Sequence, residues 1–256
     1  MTDLATKQTV GRVIQFPQES PEKPKKTKAQ RGNNYTSRGV KKASRSDPIT
    51  NKDDIRRIYE YFMNGGANPM AGPSYRNAAL FMLGFTSGLR CGDILNLKIR
   101  DLCVNGECTD YVQIYEQKTG KSNRFKIPEQ TRSVVNDYLN TKQTLRPADF
   151  VFTSQTGQPI SLNTVNTIFY RLKQDLHLSY KLSSHSMRKT FAYWTIVSHP
   201  NDSRILISLQ KMFNHSSVYV TMKYAGFLDQ SYDQIRDDVG NELLTFYDEK
   251  EAKNHA

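Results

Sequence analysis

Residues 74–97 read SYRNAALFMLGFTSGLRCGDILNL, and this stretch decides the fold. Its first half has apolar residues three and four positions apart, which predicts a buried helix over Ser74–Ser87. These apolar positions are Ala78, Ala79, Phe81, Met82 and Phe85. Gly88 ends the helix, because glycine at this place breaks a helical pattern. Arg90 therefore lies just past the end of a buried helix, and Asp93 lies on a short helix that follows.

The rest of the chain indicates further helices and one small sheet. Tyr111–Tyr115 and Arg124–Ile127 alternate apolar and polar residues on either side of Lys118–Lys121, which predicts a hairpin. A third strand is expected near Leu102–Val104. Helical spacing begins after Thr50 and returns at about 129–141, 161–176, 185–198, 203–213 and 217–225. The expected fold class is mixed, mainly α with a small antiparallel β-sheet of about three strands.

The charge of the chain favours a polyanionic partner. The net charge of +11 over 256 residues favours nucleic acid or an acidic membrane surface. Residues 1–50 carry 11 basic and 4 acidic side chains, so +7 lies there and +4 on the other 206 residues. No apolar run approaches the roughly 20 residues of a membrane-spanning helix, so no membrane partner is expected. Three cysteines that cannot all pair with one another favour a reducing setting.

Both ends of the chain differ in composition from its middle. Residues 1–46 have no sustained apolar period, which predicts a flexible basic arm that is either a solvated linker or a DNA-contacting segment. A folded domain is expected over 47–227. Residues 228–256 are expected to form a C-terminal tail with an amphipathic helix over Ser231–Tyr247. That helix either closes the core or docks onto a neighbouring protomer.

Motifs for several chemistries are absent from the sequence. There is no GxxxxGK followed by Ser or Thr, no GxGxxG after a predicted strand, no GxSxG and no HExxH. The five histidines have neither metal-ligand spacing nor cysteine partners. We therefore expect no metal and no cofactor.

Cationic and imidazole groups stand at the ends of the predicted elements. His185 and Arg188 lie three residues apart at a capped helix start, where a helix N-terminus suits a phosphate. Lys118 lies at the tip of the predicted hairpin, and His215 and Tyr224 flank a short helix. Taken singly, these groups fit ordinary roles in a salt bridge, a turn or a packed core.

In this order and at these intervals the motifs resemble the tyrosine recombinase (phage integrase) family, relatives of type IB topoisomerases. The matching segments are Thr86–Asp93, Lys118–Lys121, His185–Arg188 and Asn214–Ala225. The resemblance spans residue 48 to about residue 227, so it implies that 47–227 is a tyrosine recombinase catalytic domain.

The resemblance implies a site-specific DNA recombinase that needs neither ATP nor metal. Tyr224 would attack the scissile phosphate and leave a 3′-phosphotyrosyl link with a free 5′-hydroxyl. Tyr219 and Tyr193 lie near the same motifs, but Tyr224 keeps the family interval. The implied catalytic residues are Arg90, Lys118, His185, Arg188, His215 and Tyr224, with Asp93 as a residue that orients them.

The implied roles follow from the chemistry of each side chain. Arg90 and Arg188 would donate hydrogen bonds to the phosphoryl oxygens, and His215 would add another. Lys118 would protonate the leaving 5′-oxygen, and His185 would accept the tyrosine proton.

The sequence also departs from the family pattern. The 46 polar residues before the domain are too few and too polar for the helical core-binding domain that members commonly carry, so a short form is expected. Asp93 stands where glutamate is more usual, and Asn214 where glycine is more usual.

Three alternative functions remain open. The first is a catalytically silent DNA-binding accessory protein, and the second is nicking and resealing of the type IB topoisomerase kind. The third, a basic RNA-binding protein, requires every motif to be accidental.

The resemblance also implies partners and a location. We expect double-stranded DNA, a homotetramer on two DNA sites and an accessory DNA-binding protein in place of the missing domain. The expected location is the cytoplasm, at the nucleoid. Candidate DNA contacts outside the catalytic set are Lys121, Arg124, Arg171 and Lys189.

Overall fold

The computed structural model describes residues 46–66, 68, 70, 72–118, 120–227 and 231–244. Within these residues the chain is mainly helical, with two small antiparallel sheets. The helices are α1 (Lys52–Met63), α2 (Tyr75–Ser87), α3 (Cys91–Leu95), α4 (Ile99–Leu102), α5 (Glu129–Leu139), α6 (Leu162–Asp175), α7 (Ser184–Val197), α8 (Arg204–Phe213), α9 (Val218–Ala225) and α10 (Ser231–Leu243). The strands are β1 (Cys103–Val104), β2 (Glu107–Cys108), β3 (Tyr111–Tyr115) and β4 (Ser122–Lys126). The predicted fold class is confirmed.

Two glycines of helix α2 fix its packing against α7. A Cβ on Gly84 would lie 2.2 Å from the Met187 sulfur, so only glycine allows this close approach. Gly88 ends α2 in the left-handed conformation, with φ of +66°. A Cβ there would lie 2.7 Å from the Phe191 ring. The C-terminal end of α2 therefore packs closely against α7, and Arg90, two residues after Gly88, lies beside α7.

The strands form two separate hairpins. The predicted hairpin is present: β3 and β4 pair antiparallel, with Tyr111 opposite Lys126 and Tyr115 opposite Ser122. Its second strand covers Ser122–Lys126, two residues earlier at its start than the predicted Arg124–Ile127. The third predicted strand, β1, does not join them but pairs with β2 in a sheet of its own. The reason is the Asn105–Gly106 pair, a two-residue turn sequence that folds the chain back at once. The short helix α4 just before β1 was not predicted.

The hydrophobic residues form two clusters. The larger cluster contains most of the buried residues of α2, α5 and α6, together with Met187 from the start of α7. The smaller cluster has Ala192, Leu209, Phe213 and Ala225 at its centre. It holds α8 and α9 against the second half of α7. Helix α7 therefore belongs to both clusters.

The ends of the chain are described only in part. Of the predicted basic arm, residues 1–46, Ser46 alone lies within the described residues, so the arm remains a prediction. The C-terminal amphipathic helix was expected over Ser231–Tyr247, and α10 follows that expectation to Leu243. Residues 245–247 lie outside the described part. Along the described stretches, every helix is too short or too polar to span a bilayer.

Candidate active site

Arg90 is held by a carboxylate from the hairpin. Its Nη1 lies 2.7 Å from Oε2 of Glu116, which is buried at the end of β3. The other oxygen of this carboxylate, Oε1, accepts a hydrogen bond of 3.1 Å from the Asn123 side chain. The carboxylate of Glu116 thus fixes the direction of the Arg90 guanidinium.

Asp93 ties the short helix α3 to the same hairpin. Its Oδ1 accepts a 3.0 Å hydrogen bond from the backbone N–H of Gln117, the neighbour of Lys118. Its buried Oδ2 lies 3.8 Å from Nη1 of Arg90. Asp93 was expected to orient the guanidinium, but Glu116 is the nearer partner, and Asp93 makes its hydrogen bond to the hairpin backbone.

The first turn of α7 presents His185 and Arg188 to Arg90. Ser183 caps the helix, with its hydroxyl accepting from the His185 N–H at 3.2 Å. A cleft of about 190 Å³ lies here, lined by Arg90, Lys118, His185 and Arg188 among others. One water molecule occupies roughly 30 Å³ in the liquid, so the cleft has room for a phosphate group. The two guanidinium groups and the Lys118 side chain in this lining suit an anion.

The loop between α8 and α9 carries the second half of the site. Asn214 ends α8 in the left-handed conformation with φ of 54°, a place where asparagine and glycine are the favoured residues. His215 follows, and its ring lies 5.2 Å from the Tyr224 ring, centroid to centroid. The Thr221 hydroxyl lies 3.1 Å from Nδ1 of His215. When that hydroxyl donates to Nδ1 and not to the Ser217 carbonyl, which lies 3.3 Å from it, the ring proton is on Nε2 and is available to a ligand.

Arg188 joins the two halves. Its guanidinium carbon lies 4.0 Å from the centroid of the Phe213 ring, and Phe213 in turn packs edge-on against Tyr224. Only 5% of Arg188 is exposed. The pKa of Arg188 is lowered to about 10, mainly by burial and also by the nearby charge of Arg90, although Tyr224 and Glu116 act in the opposite direction. A side chain buried against an aromatic ring and another cation is a favourable place for an anion to bind.

The pKa values of the other titratable groups are set by the same environment. Burial lowers the pKa of His185, and so do the charges of Lys189, Arg188 and Lys118. Burial also lowers the pKa of His215, helped by Arg188 and Arg90. Both imidazoles are therefore neutral at pH 7. Burial raises the pKa of Tyr224, while the charges of Arg188 and Arg90 pull it back down.

The four further cations expected to contact DNA lie in different places. Lys121 Nζ donates to Oδ1 of Asn214 at 2.9 Å, and Lys189 Nζ lies 5.3 Å from the Tyr224 ring centroid and donates to the Ser46 carbonyl. Both therefore adjoin the site. Arg124 stacks on the Tyr111 ring at 4.2 Å, and Arg171 lines a different cavity beside Tyr61. Their contacts with DNA remain predictions.

The structure thus brings every expected catalytic residue to one region, around Arg188. The roles of these residues remain predictions at this point. Glu116 was missed by the sequence analysis. Strand alternation places it on the same inward side as Val112 and Ile114, and a carboxylate on that buried side was the available signal. Among the described residues, no group of three or more His, Cys, Asp and Glu side chains is placed to hold a metal ion.

Comparison with known sequences decides the family. The sequence model of the Phage integrase family matches residues 48–230. The chain belongs to the phage integrase family. This membership confirms the resemblance to tyrosine recombinases that the four sequence segments indicate.

Two relatives of this phage integrase family member show how much of their length the chain covers. The chain is 28% identical over 180 residues to the "Probable integrase/recombinase YoeC" of Bacillus subtilis (strain 168), covering 70% of this chain and 88% of that protein. It is 27% identical over 176 residues to the "Probable integrase/recombinase" of Acholeplasma phage L2, covering 67% of this chain and 55% of that protein. The chain therefore spans most of the first relative and about half of the second.

Solved structures share the fold of this phage integrase family member. A crystal structure of the XerH site-specific recombinase bound to a palindromic difH substrate matches with a TM-score of 0.55, 18% identity and coverage of 77% of this chain and 53% of that one. A lambda integrase dimer bound to a COC′ core site matches with a TM-score of 0.53, 19% identity and coverage of 77% and 65%. At this identity the likeness shows the fold.

Proposed function

We propose that this phage integrase family member is a site-specific DNA recombinase of the integrase/excisionase type. It cuts and rejoins DNA through a 3′-phosphotyrosyl intermediate. The observation that carries the proposal is the position of Arg188, which lines the cleft with Arg90 and stacks on Phe213 beside Tyr224. A phosphate held in the cleft by two guanidinium groups would have a tyrosine hydroxyl as its neighbour.

The cleavage step exchanges one phosphoester bond for another. The bond between the Tyr224 oxygen and phosphorus forms as the bond between phosphorus and the 5′-oxygen breaks. The tyrosine proton passes to His185, which is neutral at pH 7 and able to accept it. Lys118, which lines the cleft, gives a proton to the leaving 5′-oxygen. Rejoining reverses these transfers with the 5′-hydroxyl of another strand.

The charged residues stabilise the transition state. Arg90 and Arg188 donate hydrogen bonds to the phosphoryl oxygens, and Nε2 of His215 adds another when Thr221 donates to Nδ1. Asp93 holds the Lys118 hairpin through the Gln117 backbone. The covalent link conserves the energy of the broken bond, so the reaction needs no nucleotide.

The proposal extends to partners and domains. We propose that residues 47–227 are the catalytic domain and that double-stranded DNA is its partner, bound by a tetramer on two sites at the nucleoid. Val239, Leu243 and Leu244 are exposed apolar residues at the end of α10. Their exposure supports the docking of this helix on a neighbouring protomer.

Covalent capture of DNA tests the proposal. Wild type, Tyr224→Phe and Tyr219→Phe are incubated with a nicked, fragmented library of the source DNA, denatured, and the DNA that stays attached is sequenced. Tyr219 is the matched control because it is an exposed tyrosine on the same helix. We expect wild type and Tyr219→Phe to retain DNA with a free 5′-hydroxyl at the break, and Tyr224→Phe to retain none.

The other outcomes contradict the proposal in distinct ways. Tight binding in a gel shift without covalent capture by wild type supports the silent accessory protein. Capture followed by resealing of the same strand, with no exchange between two sites, supports the topoisomerase-like activity. Capture that survives in Tyr224→Phe excludes this tyrosine as the nucleophile.

A further inference from the structure

The small hairpin formed by β1 and β2 has a tightly specified register. Asn105 and Gly106 occupy its turn with φ of 53° and 88°, the left-handed values that a two-residue hairpin turn requires. Val104 pairs with Glu107, and Cys103 pairs with Cys108. One step further on, the Thr109 N–H donates to the Leu102 carbonyl at 2.9 Å. Hydrogen-bonded and non-hydrogen-bonded pairs alternate along an antiparallel ladder, so the two cysteines form a non-hydrogen-bonded pair.

A non-hydrogen-bonded pair brings its side chains close together on one face of the hairpin. Cα atoms in such pairs lie about 4.5 Å apart, and disulfides span Cα separations of about 4.4–6.8 Å. Neither cysteine is in a disulfide in this structure. Burial raises the pKa of Cys108, and the neighbouring Cys103 adds to that rise.

We propose that Cys103 and Cys108 are a redox site, which a small-molecule disulfide such as oxidised glutathione converts to a cross-strand disulfide. The Cys103 thiolate attacks one sulfur of oxidised glutathione, forms a mixed disulfide and expels one glutathione thiolate. The Cys108 thiolate then attacks the Cys103 sulfur and expels the second glutathione thiolate. The two protons lost by the cysteines end on the two glutathione molecules. The protein loses two electrons, and the oxidant gains them.

The order of attack follows from exposure. Cys103 is half-buried, so its sulfur is the one that a soluble oxidant reaches, whereas Cys108 is buried. Burial raises the pKa of Cys108 to about 12, with the positive charge of Arg132 opposing that shift. Cys108 therefore reacts second, as an intramolecular thiol whose high local concentration offsets its low acidity.

The site is separate from the proposed active site. Neither cysteine lines the cleft around Arg188. The hairpin is instead attached to α5, where the Cys108 N–H donates to Oδ1 of Asn136 at 2.7 Å. Cys91 is the third cysteine; it is buried and lines the cleft, and its pKa is raised by burial to about 12. It serves as the matched control because it lacks a cysteine opposite to it in a β-ladder.

Thiol mapping of the full-length protein tests the proposal. The reduced protein is incubated with buffers of increasing oxidised-to-reduced glutathione ratio, quenched with acid and alkylated with N-ethylmaleimide. Intact mass and peptide mapping then locate each modified sulfur. We expect Cys103 and Cys108 of wild type and of Cys91→Ser to take up no N-ethylmaleimide and the peptide that contains both to be two hydrogens lighter than its free-thiol form. Both thiols should be recovered in dithiothreitol.

Single-cysteine variants separate the two steps. In Cys108→Ser, a glutathione adduct on Cys103 should accumulate, because the second thiol is missing. In Cys103→Ser, Cys108 should stay unmodified. Circular dichroism of each reduced variant checks that the fold is retained, and a guanidinium-denatured sample should need a higher ratio of oxidised to reduced glutathione to form this disulfide.

Three results would overturn the proposal. They are a stable glutathione adduct on Cys103 of wild type without ring closure, a disulfide that includes Cys91 in the folded protein, and formation of the Cys103–Cys108 disulfide at the same glutathione ratio before and after denaturation. Each of these can be read without any DNA cleavage, so failure of this proposal is distinct from failure of the recombinase proposal.

Discussion

The two halves of the site pack on hydrophobic clusters of different size. Arg90, Lys118 and His185 project from elements packed on the larger hydrophobic cluster, and Arg90 is held by a buried carboxylate. His215 projects from the loop after α8 and Tyr224 projects from α9, and the cluster that holds these two helices has four buried residues among those described. Burial of apolar surface dominates local stability. The half that contains Arg90, Lys118 and His185, the cation half, is thus firmly fixed. The half that contains His215 and Tyr224, the tyrosine half, is held by a smaller cluster.

This difference explains why Arg188 occupies a central position. Helix α7 carries Met187 into the larger cluster and Ala192 into the smaller one. Arg188 lies between them in sequence and touches both halves in space. Its guanidinium faces the cleft and stacks on Phe213. In the proposed reaction, the alignment of phosphate and Tyr224 would therefore depend on this side chain more than on Arg90 or Lys118.

Replacing Arg188 is expected to have the largest effect. We expect Arg188→Ala and Arg90→Ala each to lower the cleavage rate by about 10²–10³, the usual loss for one transition-state donor. Burial raises the pKa of Tyr224, and the charge of Arg188 opposes it more strongly than that of Arg90 does. Arg188→Ala should therefore also move the alkaline rise of the cleavage rate to higher pH. Single-turnover rates measured against pH check both effects.

One further variant and a comparison of pH profiles control this prediction. Arg188→Lys keeps a positive charge but loses the planar, bidentate donor, so we expect a reduced rate with a smaller pH displacement. Thermal unfolding shows whether each variant remains folded at the assay temperature. Equal pH displacements in Arg90→Ala and Arg188→Ala would break the comparison, because the two halves would then not meet at Arg188.

Glu116 tests the cation half alone. We expect Glu116→Gln to destabilise the protein by about 1.5–3 kcal/mol, because a hydrogen bond to a charged, buried group is lost. The cleavage rate should fall about tenfold, since the Arg90 guanidinium loses its nearest partner; a tenfold change corresponds to about 1.4 kcal/mol. The pH at which the alkaline rise occurs should not change. Urea unfolding and single-turnover cleavage measure the two effects.

The matched control for this variant is Glu107→Gln, an exposed glutamate on β2. It should change neither stability nor rate by more than the ordinary surface scatter of about 0.5 kcal/mol. A cleavage rate in Glu116→Gln at or above that of wild type would show that the carboxylate competes with phosphate for Arg90. The cation half would then be held away from its substrate rather than prepared for it.

Glu116 also shows where sequence reasoning ends. The end of α2 at Gly88 and the exit of Arg90 were predictable, because helical periodicity and a glycine break are local signals. The pair between Arg90 and Glu116 joins residues 26 positions apart. It depends on how the hairpin packs on α3, which no local pattern contains. Alternation along β3 places Glu116 inward, but does not name its partner.

The same limit applies to the helices. The bounds of α5 to α9 follow their predicted ranges closely, because each has a periodic apolar face. The division of those faces between two clusters was not predictable. Phe191 and Phe213 have the same residue type as the core phenylalanines of α2, and only the tertiary path of the chain assigns them to the smaller cluster. The weaker anchoring of the tyrosine half is a consequence of that path.

A hydrogen bond between the two halves gives the smallest expected effect. Lys121 on the hairpin side donates to Asn214, the residue before His215. Removing one such exposed bond costs about 0.5–1.5 kcal/mol, so we expect a two- to tenfold lower cleavage rate in Asn214→Gly. Glycine is the most selective substitution here, because it keeps the left-handed backbone at this position and removes only the side-chain acceptor. Lys121→Met removes the donor.

A double-mutant cycle distinguishes this bond from a direct contact of Lys121 with DNA. If the bond joins the two halves, Lys121→Met combined with Asn214→Gly should be no slower than either single variant. If Lys121 instead binds phosphate, the losses add, and Lys121→Met alone reduces the salt dependence of DNA binding. A substrate with sulfur in place of the 5′-oxygen sharpens the result, because a thiolate leaves without a proton from Lys118. If the bond between Lys121 and Asn214 acts by positioning Lys118, Asn214→Gly should cleave that substrate as fast as wild type does. If the bond acts through His215 and Tyr224, the lower cleavage rate of Asn214→Gly should persist.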